Sequence, residues 1–206
     1  MVSFSKRSIT LVELLIAIAL LGLLVIAVFS LDNFARFHLI SSDRRARAQN
    51  DVSYALEHMS KYAFQGIGAQ PDSPPFEQIA SGFRVRVDRN LERAVPQNPT
   101  PENLNDDNWI NYTLSDNSLL CSCTQISAAS PPCFGDELLS SHIITGVTYT
   151  AMPDNPTSGF YINLTENSSM VEIGIVSRYR PNNPPSLDNP QVAMKTRLLP
   201  HSSAAR

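Results

Sequence analysis

Ser8-Ile9-Thr10-Leu11-Val12-Glu13-Leu14-Leu15-Ile16-Ala17 opens the stretch that decides the organisation of this chain. It begins an apolar run over residues 9–31, 23 residues with one charged side chain, Glu13, and one glycine, Gly22. Coiled as a helix, such a run covers about 35 Å at about 1.5 Å per residue. That is enough to cross a bilayer core of about 30 Å. A cleaved secretory signal is the main competitor, because Lys6 and Arg7 form a basic leader. The apolar region of such a signal spans about 7–15 residues and ends at small residues before a cut. Here the run continues further and passes straight into Ser30-Leu31-Asp32-Asn33-Phe34, with no such site. A retained membrane helix is the expectation. Glu13 is its anomaly, since a carboxylate at the bilayer centre costs about 2.5–3.5 kcal/mol on insertion scales, and less toward an end. It is either an interfacial residue reaching for water or a charge that meets a positive group from another chain.

Residues 8–31 resemble the cleavage and methylation motif of type IV prepilins. The block Leu11-Val12-Glu13-Leu14-Leu15-Ile16-Ala17 carries the likeness, together with the short basic leader. In that family a membrane peptidase cuts before the hydrophobic stretch and then methylates the new amine. The resemblance implies a leader over residues 1–8, cleavage between Ser8 and Ile9, and N-methylation of Ile9. It also places Glu13 at the fifth mature position, where the family carries its glutamate. The family usually has Gly before the cut and Phe after it; Ser8 and Ile9 are small and bulky-apolar replacements. The implied chemistry is pairing of the Ile9 amine with Glu13 of a neighbouring subunit. Each charge is costly alone in an apolar bundle and tolerable when paired. Basic residues flank both ends of the run (Lys6 and Arg7; Arg36, Arg44, Arg45 and Arg47), so charge does not set the orientation. The resemblance does, with the leader in the cytoplasm and the rest outside it.

Beyond residue 31 the composition changes. The chain is 206 residues long and 43% hydrophobic, but its 15 prolines lie beyond the apolar run. The helical pattern continues over residues 32–66: Phe34, Phe37, Val52, Leu56, Met59 and Ala63 recur at helical spacing. Asp43–Arg47 and Arg47–Asp51 are spaced i,i+4, which supports a solvated helix. Arg44-Arg45-Ala46-Arg47, flanked by Asp43 and Asp51, reads as part of that solvated face rather than a lipid or nucleic-acid patch. Gly66, Gly68 and Pro71 end the helix, predicted over residues 9–65.

From residue 70 to 206 a β-rich head is expected. Strand patterns occupy residues 83–87, 110–114, 119–123, 143–149, 160–164, 170–176 and 192–198. Turns are expected at Asp116-Asn117-Ser118 and over residues 165–169, and Pro- and Asn-rich loops at 96–108, 151–158 and 180–190. The fold class is therefore α+β, a long N-terminal helix packed on an antiparallel β-sheet head. The order of these head segments resembles the larger W-type minor pilins of type IV pili and the J-type pseudopilins of type II secretion.

The net charge is −3, and −5 once Lys6 and Arg7 are removed, so no nucleic-acid role is indicated. His38, His58, His142 and His201 do not pair at ligand spacing, and no nucleophile-elbow, zinc-helix or phosphate-loop motif occurs. Neither an enzyme nor a cofactor is expected. Asp106-Asp107 and Asp136-Glu137 lack the spacing of a calcium loop and read as solvated turn carboxylates, so no metal is expected. Three cysteines fall within residues 121–133. A disulfide from Cys123, or from Cys121, to Cys133 is the leading reading. Free thiols and a three-thiolate metal site are the others. The expected role is a minor pilin-like subunit at the bacterial inner membrane, single-pass and then in a pilus or pseudopilus. Its partners would be prepilin peptidase and other pilin or pseudopilin subunits through the helix. A J-type pseudopilin and a signal-anchored extracytoplasmic binding module are the alternatives.

Overall fold

The computed structural model describes residues 10–68, 73–88, 105–130, 132–165 and 169–200. One helix, α1 (Leu11–Ala63), leads the chain. By its contacts the chain falls into two compact units, dividing after Ser42. In the first unit every large apolar side chain over residues 11–31 is exposed. This segment is long and apolar enough to cross a membrane by length and composition.

In the second unit α1 is amphipathic. Ala48, Val52, Ala55, Leu56, Met59 and Ala63 are buried and form one stripe at spacings of three and four. Phe34 and Phe37, expected on that stripe, are exposed. They fall in the first unit, where no core forms among the described residues. The helix closes by tightening: Gln65 N donates to Tyr62 O and Gly66 N to Ala63 O, both at 3.0 Å. Gly66 then bridges to Val87.

Two sheets complete the second unit. The first is a five-stranded antiparallel meander of β1 (Phe76–Ile79), β2 (Gly82–Val87), β3 (Asn108–Ser115), β4 (Ser118–Gln125) and β5 (Glu137–Ser140), in that spatial order. Its centre follows the alternation seen in the sequence. Phe83, Val85 and Val87 are buried while Arg84 and Arg86 are not. The β3–β4 hairpin turns on Asp116-Asn117 alone, with Ser115 opposite Ser118. Asp116 adopts φ 52°, which a short polar side chain tolerates in a two-residue turn. The second sheet has the order β6 (Val147–Thr148), β7 (Phe160–Leu164), β8 (Val171–Arg178), β9 (Gln191–Leu198). It is antiparallel apart from the short β6–β7 pair, which is parallel.

The strand expected over 143–149 shrinks to the two residues of β6. Gly146 at φ +99° breaks the run, and Ile143 makes only an isolated bridge to Ser177. The turn expected over 165–169 and the loop over 96–108 lie largely outside the described residues. β1 and β5 carry no expectation from sequence; at four residues each they are too short for alternation to register.

The core lies between the helix and both sheets. Val52 and Met59 of α1, Phe83, Ile110 and Tyr112 of the first sheet, and Phe160, Ile162 and Ile173 of the second share one buried cluster. Phe83 stacks on Tyr112 at 5.2 Å and meets Phe160 at 6.1 Å, joining the two sheets through aromatic rings. A smaller cluster of Ile144, Tyr161 and Val176, with Met152 against it, covers the other face of β7 and β8. Phe160 to Ile162 of β7 and Ile173 to Val176 of β8 are therefore buried on both faces of the sheet.

Candidate functional site

The start of α1 is built from a four-residue pattern, Thr10-Leu11-Val12-Glu13. Thr10 N donates to Glu13 Oε2 at 2.9 Å, Thr10 Oγ1 donates to the same oxygen at 3.0 Å, and Glu13 N donates to Thr10 Oγ1 at 3.3 Å. These are the reciprocal bonds of a capping box, which satisfy backbone donors that a helix start otherwise leaves open. Sequence reasoning assigned Glu13 to another subunit's amine and missed Thr10. The signal was present, since a Thr followed three residues later by Glu, before an apolar run, is the capping pattern. Further along, Ser30 Oγ donates to Ile26 O at 2.9 Å, which shields a hydroxyl within the apolar stretch. Ser8 and Ile9, the expected cleavage and methylation positions, lie outside the described residues, as do Met1 to Arg7 of the leader.

In the head, three clusters join residues distant in sequence. The first lies between α1 and the first sheet. Tyr54 OH donates to Glu137 Oε1 at 2.6 Å, and His58 Nε2 stands 3.4 Å from Glu137 Oε2. His58 Nδ1 is 3.2 Å from Tyr112 OH. Burial pulls the His58 imidazole below its ordinary value; Glu137 opposes this and Lys61 adds to it. Cys121, buried beside Tyr112, is pushed up to about 12 by burial and then by Glu137.

The second cluster ties α1 to the loop before β9. Arg44 lies over the Tyr179 ring at 4.7 Å and pairs with Asp188. The His142 ring stacks on Tyr179, and its Nδ1 donates to Asp51 Oδ2 at 2.8 Å. Arg44 is therefore a fastening residue, which corrects its assignment to a solvated face. Arg47 does pair with Asp43, at 3.0 Å, but Asp51 is taken by His142. Within the loop, Asn189 is buried. Its side-chain oxygen accepts from Arg180 N at 2.8 Å and its Nδ2 donates to Arg180 O at 3.0 Å.

The third cluster is acidic. Asp88, Asp106 and Asp107 meet where β2 ends and β3 begins. Asp107 is not the solvated turn carboxylate expected from sequence. It is 0% exposed, and burial pushes its carboxyl up to about 7; neighbouring Asp88 adds to the shift and Arg86 opposes it. Cys123 and Cys133 form a disulfide with a Cα–Cα distance of 5.3 Å, and Cys121 is free. Of the two pairings open from sequence, this one uses the cysteine nearer the end of β4. Cys121 points to the same side of the strand but lies in the core.

A family model, the prokaryotic N-terminal methylation motif, matches residues 4–29. No curated protein and no solved structure matches the chain. The motif and the exposed apolar helix give the chain a prepilin-type start ahead of an α+β head, which supports a type IV pilin-like reading. The motif implies processing by prepilin peptidase and pilin-type assembly, and the helix is compatible with membrane anchoring.

Proposed function

We propose that the chain is a minor pilin-like structural subunit, inserted in the inner membrane with its head outside the cytoplasm, then assembled in or at the tip of a type IV pilus-like filament. One observation carries this reading. The helix that the methylation motif opens leaves all its large apolar side chains over residues 11–31 exposed, so they need either lipid or neighbouring helices. In the membrane, lipid covers them; in a filament, equivalent helices do. The large head, with its two sheets and Pro-rich loops, suits a subunit of low abundance better than a repeating one.

The role is architectural rather than enzymatic. Cys121 lies opposite Glu137 across the β4–β5 pair, and His58 approaches the same Glu137, a grouping that invites comparison with a nucleophile and its base. However, burial drives the thiol away from the reactive thiolate, the reverse of what catalysis needs. The same residues serve as an interlock between the helix and the first sheet.

Mass spectrometry of the protein extracted from cells containing prepilin peptidase tests the reading. The expected product lacks residues 1–8 and begins with N-methylated Ile9, and it co-purifies with sheared filaments. An intact leader would leave a signal-anchored module instead. A processed chain found only with secretion components would place it in a pseudopilus.

A further inference from the structure

The acidic cluster of the head sits at a junction prepared by the sheet itself. Val87, the last residue of β2, pairs with Asn108, the first of β3. Asp88 follows one and Asp106-Asp107 precede the other, so strand pairing delivers three carboxylates to one place. One oxygen from each lies within 4.8 Å of the others. The backbone beneath is tied down: Ser130 Oγ donates to Asp107 O at 2.6 Å and Ile126 N to the same oxygen at 3.3 Å.

Asp107 supplies an observation independent of the clustering. Its side chain is fully buried, and neither carboxylate oxygen accepts a hydrogen bond among the described residues. Among the described residues, the counter-charge paired with it is Arg86, whose Nη1 stands 4.0 Å from Oδ2, beyond hydrogen-bonding reach. Arg86 is also engaged with the Trp109 ring at 4.8 Å. Among the described residues, the buried Asp107 carboxylate faces two others and accepts no hydrogen bond, so it lacks the hydrogen bonds that a buried charge requires.

We propose that Asp88, Asp106 and Asp107 form a binding site for a single calcium ion. Calcium–oxygen bonds run about 2.3–2.6 Å, so two oxygens on one ion are separated by at most about 5 Å. The observed 4.8 Å limit satisfies that for all three pairs at once. The donors are all oxygens, which selects a hard cation over zinc or copper. Calcium tolerates an irregular shell completed by water, whereas magnesium demands a near-ideal octahedron. The bound ion would clamp the end of β2 to the start of β3.

The test uses the full-length protein in detergent, stripped with a chelator, in equilibrium dialysis against radiolabelled calcium. The expected result is one ion per chain, with a Kd on the order of 10⁻⁴–10⁻³ M, as for extracellular calcium modules. Asp106→Asn should weaken binding about tenfold or more. Asp154→Asn, which alters an exposed carboxylate elsewhere, should leave it unchanged. Trp109, the single tryptophan and 6% exposed, reports the folding of each variant by fluorescence. If Asp106→Asn fails to fold, Asp88→Asn gives the same reading. Absence of saturable binding at millimolar calcium overturns the proposal. So does a folded Asn variant that binds like the parent chain.

Discussion

Glu13 carries two requirements that one substitution can separate. Within its own chain it closes a capping box with Thr10; within an assembly it would offer a charge to a neighbour's Ile9 amine. Gln can take the capping role but has no charge. Glu13→Gln should therefore insert and start its helix normally, yet be depleted from filaments several-fold relative to the parent chain, measured in sheared fractions. Normal incorporation would sink the charge-pairing account and leave capping as the role of Glu13. Glu13→Ala should in addition weaken the helix start by about 1 kcal/mol. The glutamate itself was legible in the sequence because it interrupts an apolar run. Its bond to Thr10 was equally legible, since both partners lie within one turn. Asp107 was not legible: a carboxylate in a polar stretch looks solvated until the strands around it are paired.

The β4 strand and the segment after it show what a short cross-link does. Cys123 and Cys133 enclose a loop that carries little regular structure, and by loop-closure entropy their bond contributes about 2–3 kcal/mol. Cys123→Ser should lower the thermal midpoint of the protein by several degrees, read by Trp109 fluorescence. Cys121→Ala should leave the disulfide intact and remove the only alkylatable thiol, read by mass spectrometry after unfolding without reductant. Loss of the Cys123–Cys133 cross-link in Cys121→Ala would reassign the pairing. Elements with five or more alternating or apolar residues, such as β2, β3 and β8, were visible in the sequence. β1 and β5 were not, because four residues flanked by loops give too short a pattern and their pairing depends on neighbours far along the chain.

Stability of the head as a unit should respond to pH through His58. Burial holds its imidazole below the ordinary 6.5, Glu137 opposing the shift and Lys61 adding to it; Tyr54, Tyr62 and Tyr112 pack around the ring. A base with a depressed folded value binds fewer protons in the folded state than in the unfolded chain. Its contribution is complete above pH 6.5 and is lost as pH falls below that toward the folded value. From pH 7 to pH 5 His58 therefore lowers the melting temperature, while Asp107, its carboxyl raised to about 7, takes up a proton in the folded state and acts in the opposite sense; His58→Gln should remove the His58 component, so that its melting temperature falls less, or rises more, over that range than the parent's. A variant with an unchanged slope would exclude His58 as the sensitive group.

Read from one end of the chain to the other, sequence alone settled what depends on neighbours along the chain. The membrane-length run, its processing motif, the helix and its stop, and the longer strands all rest on local periodicity or on motifs within a few residues. Tertiary structure decided what depends on residues far apart. The division of the strands into two sheets, the choice of Cys123 over Cys121, the fastening of Arg44 to Asp188 and the gathering of Asp88 with Asp106 and Asp107 are all of this kind. The physical reason is common to them. Burial and pairing of a polar group are set by which strands lie beside it, and no local pattern in a single chain encodes that adjacency.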